Sequence, residues 1–210
     1  MLQIKPMMLE PDAQYFLELQ TRTGWGVMLE SFSRWCEPHP GQRTLDVGTG
    51  PGLLPALFSQ AGCISFGLDL DPEMLRTPLH RSAVLADASK LPFASGTFHM
   101  VTASNILYLS PHPEWLLGEM VRVLCPNGWL CLLNPSERMK LAAAEQLADE
   151  RGLEGLARDT LLNYASRAEE HYRWTEADLA SMFSELGLSA PQTTTRMGTG
   201  LVRYARGQKG

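Results

Sequence analysis

A chain of 210 residues with 44% hydrophobic and 20% charged residues lies in the ordinary globular range, which excludes disorder as its main state and predicts a single domain. Its net charge of −5 provides no bulk positive field for a phosphate backbone, so nucleic acid is not an expected partner. Cys36, Cys63, Cys125 and Cys131 have neither CxxC spacing nor histidines at ligand spacing, so they read as free thiols and no metal site is expected. The opening segment, MLQIKPMMLEPD, carries Pro6, Glu10 and Pro11 where a signal peptide needs an unbroken apolar stretch. No apolar run approaches the ~20 residues of a membrane span, so a cytoplasmic location is expected.

Residues 12–36 read as a helical arm, because Tyr15, Phe16, Leu19, Met28, Leu29 and Phe32 recur near helical spacing, with Gly24-Trp25-Gly26 breaking the run in two. Pro38-His39-Pro40-Gly41 closes this arm at residue 41. From residue 42 short apolar strands alternate with helices, the signature of a parallel sheet covered on both faces. Strands are predicted at 44–47, 64–69, 83–86, 98–103 and 129–133, with helices at 53–60 and 113–124 and an Asn127-Gly128 turn leading into the fifth strand. The strand rhythm stops after residue 135, and 137–151 and 159–171 read as helices of an insertion covering 136–174. Thr175 and Asp178 then form a capping box for a last helix that Gly187 ends. Residues 193–205, centred on Gly198-Thr199-Gly200, read as a two-strand hairpin. The expected fold is therefore α/β: a doubly wound, Rossmann-like, seven-stranded sheet ending in an antiparallel hairpin, with an N-terminal helical arm and a helical insertion after strand five.

The sharpest local feature is LDVGTGPG at 45–52, between the first strand and the first helix of the sheet. Its alternating glycines permit a tight turn and close approach of a ligand, and the following helix directs unpaired N–H groups at that space, favouring an anionic group. Asp69 ends the second strand, about 20 residues past the turn, where a carboxylate can accept both hydrogens of a ribose diol. Asp87, beside Leu91-Pro92-Phe93, offers a carboxylate for an exocyclic amine next to an apolar wall.

Together these stretches resemble the class I S-adenosylmethionine-dependent methyltransferases, in particular the small-molecule branch that includes the quinone-biosynthesis C-methyltransferases. The resemblance runs from Thr44 to about Ser136 and, more loosely, through the segment after Trp174. It implies that Gly48, Thr49, Gly50 and Gly52 cradle the methionine part of S-adenosylmethionine and that Asp46 helps to place its ammonium. By the same resemblance Asp69 would hold the ribose, Leu70 and Met74 would flank the adenine, and Asp87 and the Ala88 N–H would meet its polar edge. Ser104-Asn105, in the stretch after strand four, would lie under the methionine end, and Tyr15 or Arg22 of the arm would reach the methionine carboxylate. VLCPNGWL resembles the family's turn into strand five, with Cys125 and Asn127 in place of the commoner lysine and glycine. Asn134-Pro135 is not the amino-methylating NPPY signature, which would follow strand four, so methylation of exocyclic base amines is not expected.

The activity implied is in-line displacement at the sulfonium methyl by an O, N, S or C nucleophile of a small acceptor. Holding donor and nucleophile in line and excluding water can supply most of the rate, so no fixed catalytic dyad is required. If a base is used, His171 is the candidate among five histidines, because it closes the insertion expected to cover the donor methyl; its alternative is a surface residue at a helix end. Trp25, Tyr108, Tyr164, Tyr172 and Trp174 are candidates for an aromatic acceptor pocket, with core packing as the alternative. Two other functions stay open: an NAD(P)-dependent oxidoreductase, and a non-catalytic methyltransferase-like binding subunit. The first fits poorly, since position 53, where GxGxxG needs glycine, is Leu53. Homodimerisation stays open, and nothing in the sequence identifies the acceptor.

Overall fold

Residues 13–76 and 78–210 are described by a computed structural model. The expected arm start at Asp12 and the segment read as lacking a signal peptide lie outside these residues. The arm is two helices, α1 (Ala13–Arg22) and α2 (Gly24–Trp35). Its break falls at Thr23, one residue before the glycines expected to cause it. Thr23 donates its hydroxyl to the Leu19 carbonyl at 2.7 Å and accepts the Trp25 N–H at 3.1 Å, so one side chain bonds to both helices. Gly26 lies within α2, where a Cβ would collide with the Gln20 carbonyl; α1 and α2 can approach this closely only because position 26 has no side chain.

Seven strands follow: β1 (Arg43–Val47), β2 (Ile64–Asp69), β3 (Ala83–Leu85), β4 (Phe98–Ser104), β5 (Leu124–Pro135), β6 (Leu188–Arg196) and β7 (Val202–Lys209). They form one sheet in the order β3-β2-β1-β4-β5-β7-β6, parallel from β3 to β5, with β7 antiparallel to both of its neighbours. The doubly wound sheet with its terminal hairpin is the fold the sequence predicts. Alternation along each strand splits the core into two layers. Leu45, Val47, Val101, Leu130 and Leu132 face α4 (Pro113–Val123) and α7 (Glu176–Glu185). Met100, Cys131, Leu133 and Tyr204 face α2, α3 (Leu53–Gln60) and the insertion helices α5 (Leu141–Glu150) and α6 (Gly155–Glu169).

Several boundaries differ from expectation for identifiable reasons. β5 begins at Leu124 because the Asn127-Gly128 turn is absorbed as an irregularity inside the strand, with Asn127 at φ 62° and the β4 register shifting between Phe98 and Met100. β6 begins at Leu188, and a second register shift, between Ser189 and Gln192 with Ala190 at φ 49°, carries the pairing past the expected hairpin start. α5 starts at Leu141, since Ser136 to Met139 form a turn whose Glu137 pairs with Arg203. α6 spans Gly155–Glu169 and so ends before His171. The Thr175–Asp178 capping box is present.

Arg206 of β7 fastens the arm to the sheet. Its guanidinium is nearly buried and donates to the Trp35 carbonyl at 3.0 Å, to Glu37 at 3.0 Å and to Gln192 at 2.9 Å, and its carbon lies 5.1 Å and 4.8 Å from the Trp35 and Trp129 ring centroids. Arg206→Ala should therefore lower unfolding stability by about 2–3 kcal/mol, because it leaves the Trp35 carbonyl unpaired and removes both ring contacts. A urea midpoint unchanged by the substitution would show that the arm docks without this residue.

Candidate functional site

The loop after β1 is held by its neighbours on both sides. Gly48, Gly50 and Gly52 all adopt positive φ (70°, 54° and 93°). The Gly48 and Thr49 N–H groups donate to the Leu68 carbonyl at 2.8 and 3.0 Å, and the Gly50 N–H donates to Asp69 Oδ2 at 2.7 Å. The second oxygen, Asp69 Oδ1, accepts the Asp71 N–H at 3.0 Å, which fixes the carboxylate plane at the end of β2. From the arm, Gln20 Oε1 accepts the Leu53 N–H at the start of α3 (3.1 Å), and its Nε2 donates to the Thr49 carbonyl (3.4 Å). A Cβ on Gly48 would collide with Ile106, so this position has no room for a side chain.

Around this loop, at the carboxyl ends of the parallel strands, lies a cavity of about 330 Å³. It brings together ten of the residues singled out in the sequence. Gly48 and Gly50 come from the loop, Asp69, Leu70 and Met74 from the end of β2, Asp87 and Ala88 from beyond β3, Ser104 and Asn105 from the end of β4, and Trp25 from the arm. Asp87 accepts the Ser89 N–H at 2.8 Å, and these Ser89 hydrogen bonds hold its carboxyl below the usual range. The sequence reading missed Phe16, Gln20, Leu109 and Leu116, which with Ile106 supply most of the remaining wall. Gln20 left a faint signal, as a polar residue four positions after Phe16 on the inward side of an amphipathic helix.

The other candidates lie elsewhere. Thr49 turns its side chain onto Gly67, where an added Cβ would come within 2.8 Å of Thr49 Cγ2, and Gly52 backs onto His80. Tyr15 packs edge-on against Phe16, which reaches the cavity in its stead, and Arg22 is exposed at the end of α1. Tyr108 and Tyr164 are buried behind the cavity. Tyr172 and Trp174 line a separate groove between α4 and α7, where Tyr172 donates to Asp178 at 3.0 Å. His171 is exposed, its ring edge-on to Tyr108 at 5.7 Å, outside the cavity lining, because α6 stops two residues short of it. Among the described residues no three His, Cys, Asp or Glu side chains are placed to hold a metal, and no helix is long and apolar enough to cross a membrane.

Asp46 is buried beneath the cavity at the β1–β4 pairing, where Thr102 donates its hydroxyl to Oδ1 at 2.7 Å. Burial pushes its pKa up to about 7, against the opposing effect of the Thr102 bond.

Comparison with known proteins agrees with this arrangement. A methyltransferase-domain family matches residues 45–132. A demethylmenaquinone methyltransferase of Renibacterium salmoninarum is 32% identical over 162 residues, covering 71% of this chain and 68% of that protein. The chain belongs to the class I S-adenosylmethionine-dependent methyltransferases. An uncharacterized methyltransferase of a Mycobacterium species (strain JLS) is 43% identical over 98 residues, and the match spans 44% of this chain and 38% of that relative's length. The fold is shared with magnesium protoporphyrin IX methyltransferase of Synechocystis, solved with bound SAH: TM-score 0.65 at 17% identity, covering 93% of this chain and 88% of that one.

The cavity suits the cofactor of this methyltransferase family on its own terms. Its glycine wall admits no Cβ at position 48, and carboxylates stand at the end of β2 and beyond β3.

The cost of burying Asp46 has a pH signature. Its folded pKa lies above its unfolded value, so the folded state binds more protons between about pH 4 and 7 and loses stability as pH rises through that window. Asp46→Asn, which still accepts from Thr102, should raise stability by about 2–3 kcal/mol more at pH 8 than at pH 5. An increment equal at the two pH values, read by urea unfolding, would contradict the assigned shift.

Proposed function

We propose that this methyltransferase-family chain transfers a methyl group from S-adenosylmethionine to a small, partly apolar acceptor. The observation that carries this reading is the convergence on one cavity of the glycine loop and the Asp69 and Asp87 carboxylates, each from a different strand end. When bound, the cofactor supplies a sulfonium-activated methyl group open to in-line displacement.

The chain's own residues bind, orient and exclude water. Asp69, already aligned by the Gly50 and Asp71 N–H groups, has lone pairs left for the two ribose hydroxyls. Leu70 and Met74 would form the apolar faces for an adenine ring, with Asp87 and the Ala88 N–H placed to hold its polar edge. The loop of Gly48 and Gly50 would take the methionine part, with the Asp46 carboxyl buried beneath it. Trp25 and Phe16 of the arm close the cavity against water. Holding donor and nucleophile in line supplies most of the rate, so no fixed base is required of the lining.

We assign residues 42–135 to cofactor binding and 136–174 to the acceptor side of one domain, framed by the arm (1–41) and the last helix and hairpin (175–210). The Renibacterium relative's name supports an aromatic, quinol-like acceptor. We place the protein in the cytoplasm, with a small molecule and not a nucleic acid as its substrate. An NAD(P) oxidoreductase would leave Asp87 without work, and a non-catalytic relic would have no need of both carboxylates.

Calorimetric titration with S-adenosylmethionine, S-adenosylhomocysteine and NADH tests the reading. The two sulfur compounds should bind and NADH should not. Asp69→Ala should weaken both by about 1–3 kcal/mol, the scale of lost charge-assisted hydrogen bonds. Binding of NADH alone, or an affinity unmoved by Asp69→Ala, would overturn the placement of the ribose.

A further inference from the structure

Beyond β4 the chain turns through Asn105, which adopts a left-handed backbone (φ 60°) that asparagine tolerates better than most residues. Its N–H donates to the Leu133 carbonyl of β5 at 2.7 Å, so the backbone is fixed. Its side chain is fixed as well, because the Tyr164 hydroxyl of α6 donates to Asn105 Oδ1. That bond uses the carbonyl half of the amide and leaves the Nδ2 hydrogens as a buried donor without a partner, on a residue lining the cavity. A buried unpaired donor costs free energy, and in a binding site it marks where a ligand acceptor atom belongs.

The surroundings say which ligand. Tyr164 packs edge-on against Trp25 with ring centroids 5.0 Å apart, and Ile106, next to Asn105, abuts Gly48. Asn105 therefore sits where the arm and the insertion meet, at the loop end of the cavity, among flat and apolar side chains. Asp69 and Asp87 stand at other strand ends and are already matched to the ribose and adenine in the proposed reading. We infer that Asn105 recognises an oxygen of the methyl acceptor, its Nδ2 donating to a carbonyl, phenol or enolate oxygen on a flat apolar ring, with Tyr164 as the positioning residue that keeps nitrogen and not oxygen presented. Burial raises the Tyr164 phenol well above its ordinary value, so it stays a neutral donor across the working pH range.

This inference rests on the methyltransferase reading, and the experiment separates the two. Protein is first titrated with S-adenosylhomocysteine; failure of the wild type to bind it sinks the methyltransferase reading and this inference together. Loaded protein is then titrated with 1-tetralone, tetralin and 1-aminotetralin, which share a ring system and differ in carrying a carbonyl, nothing, or an ammonium. The wild type should prefer 1-tetralone to tetralin by about tenfold, the scale of one hydrogen bond to a buried donor. Asn105→Asp keeps the left-handed backbone and the Tyr164 bond while replacing the NH2 with oxygen, and should reverse the order in favour of 1-aminotetralin. Tyr164→Phe lets the amide rotate and should shrink the 1-tetralone preference at least threefold, while S-adenosylhomocysteine affinity changes less than twofold in both variants. A preference for 1-tetralone that is absent from the wild type, or that survives Asn105→Asp, overturns the inference. A tenfold loss of S-adenosylhomocysteine affinity in Asn105→Asp also overturns it, because it assigns the amide to the cofactor.

Discussion

The parallel pairing of β1 with β4, reached only after β2 and β3 have been laid on the other side of β1, separates the connections leaving these two strands. The loop after β1 runs toward one face into α3, and the segment after β4 runs toward the other into α4, so a crevice opens between them. The β1–β4 register sets Asp46 opposite Thr102, and the hydroxyl of Thr102 supplies the hydrogen bond that the buried carboxylate receives across the sheet. Continuing that register by two residues brings Gly48 to Ser104, at the mouth of the crevice. The positions of the glycine loop and of Asn105 are consequences of this pairing, and the arm and insertion can only decorate a space that it opens.

The fold tolerates several unfavourable groups here. A carboxylate is buried with a pKa near 7, Asn105 carries a left-handed backbone and an unpaired amide, and three glycines take positive φ within five residues. Arg203 and Arg206 of β7 are as buried as Asn105; Arg206 meets Glu37 at 3.0 Å, and Arg203 meets Glu137 at 2.9 Å while its Nε has no partner. Arg206 is a buried group satisfied where it ties β7 to the arm. Of the unsatisfied buried side-chain atoms among the described residues, Asn105 Nδ2 is the one on a residue lining the cavity, where a ligand can supply the missing partner.

What could be read in the sequence follows from how local its cause is. LDVGTGPG, Asp69 and Asp87 were legible because each is fixed within a few residues: a strand end, a turn requiring glycine, a carboxylate at the turn. The strands were legible because burial on both faces leaves continuous apolar runs. Boundaries that depend on a distant partner were not, as when Asn127 becomes part of β5 only because β4 is there to shift its register. The acceptor side suffered most. Tyr164 and Tyr172 are both aromatics of the same segment, but one reaches Asn105 and the other Asp178 on the far side of the sheet, a difference set by where α6 ends and not by residue type.

The same division bears on how such a fold can keep one cofactor and change acceptors. The groups assigned to the cofactor belong to strand ends and to backbone held by ladder bonds, so altering them disturbs the sheet itself. The groups assigned to the acceptor depend on side chains of helices: Trp25 from the arm, and Tyr164 indirectly through Asn105. Helix positions can exchange side chains at the cost of local packing alone. The two systems touch at Asn105, whose backbone is bonded to β5 while its amide answers to α6. A change in the insertion is therefore felt at the donor end of the cavity without any movement of the glycine loop, which allows acceptor preference to vary while the cofactor's footing stays the same.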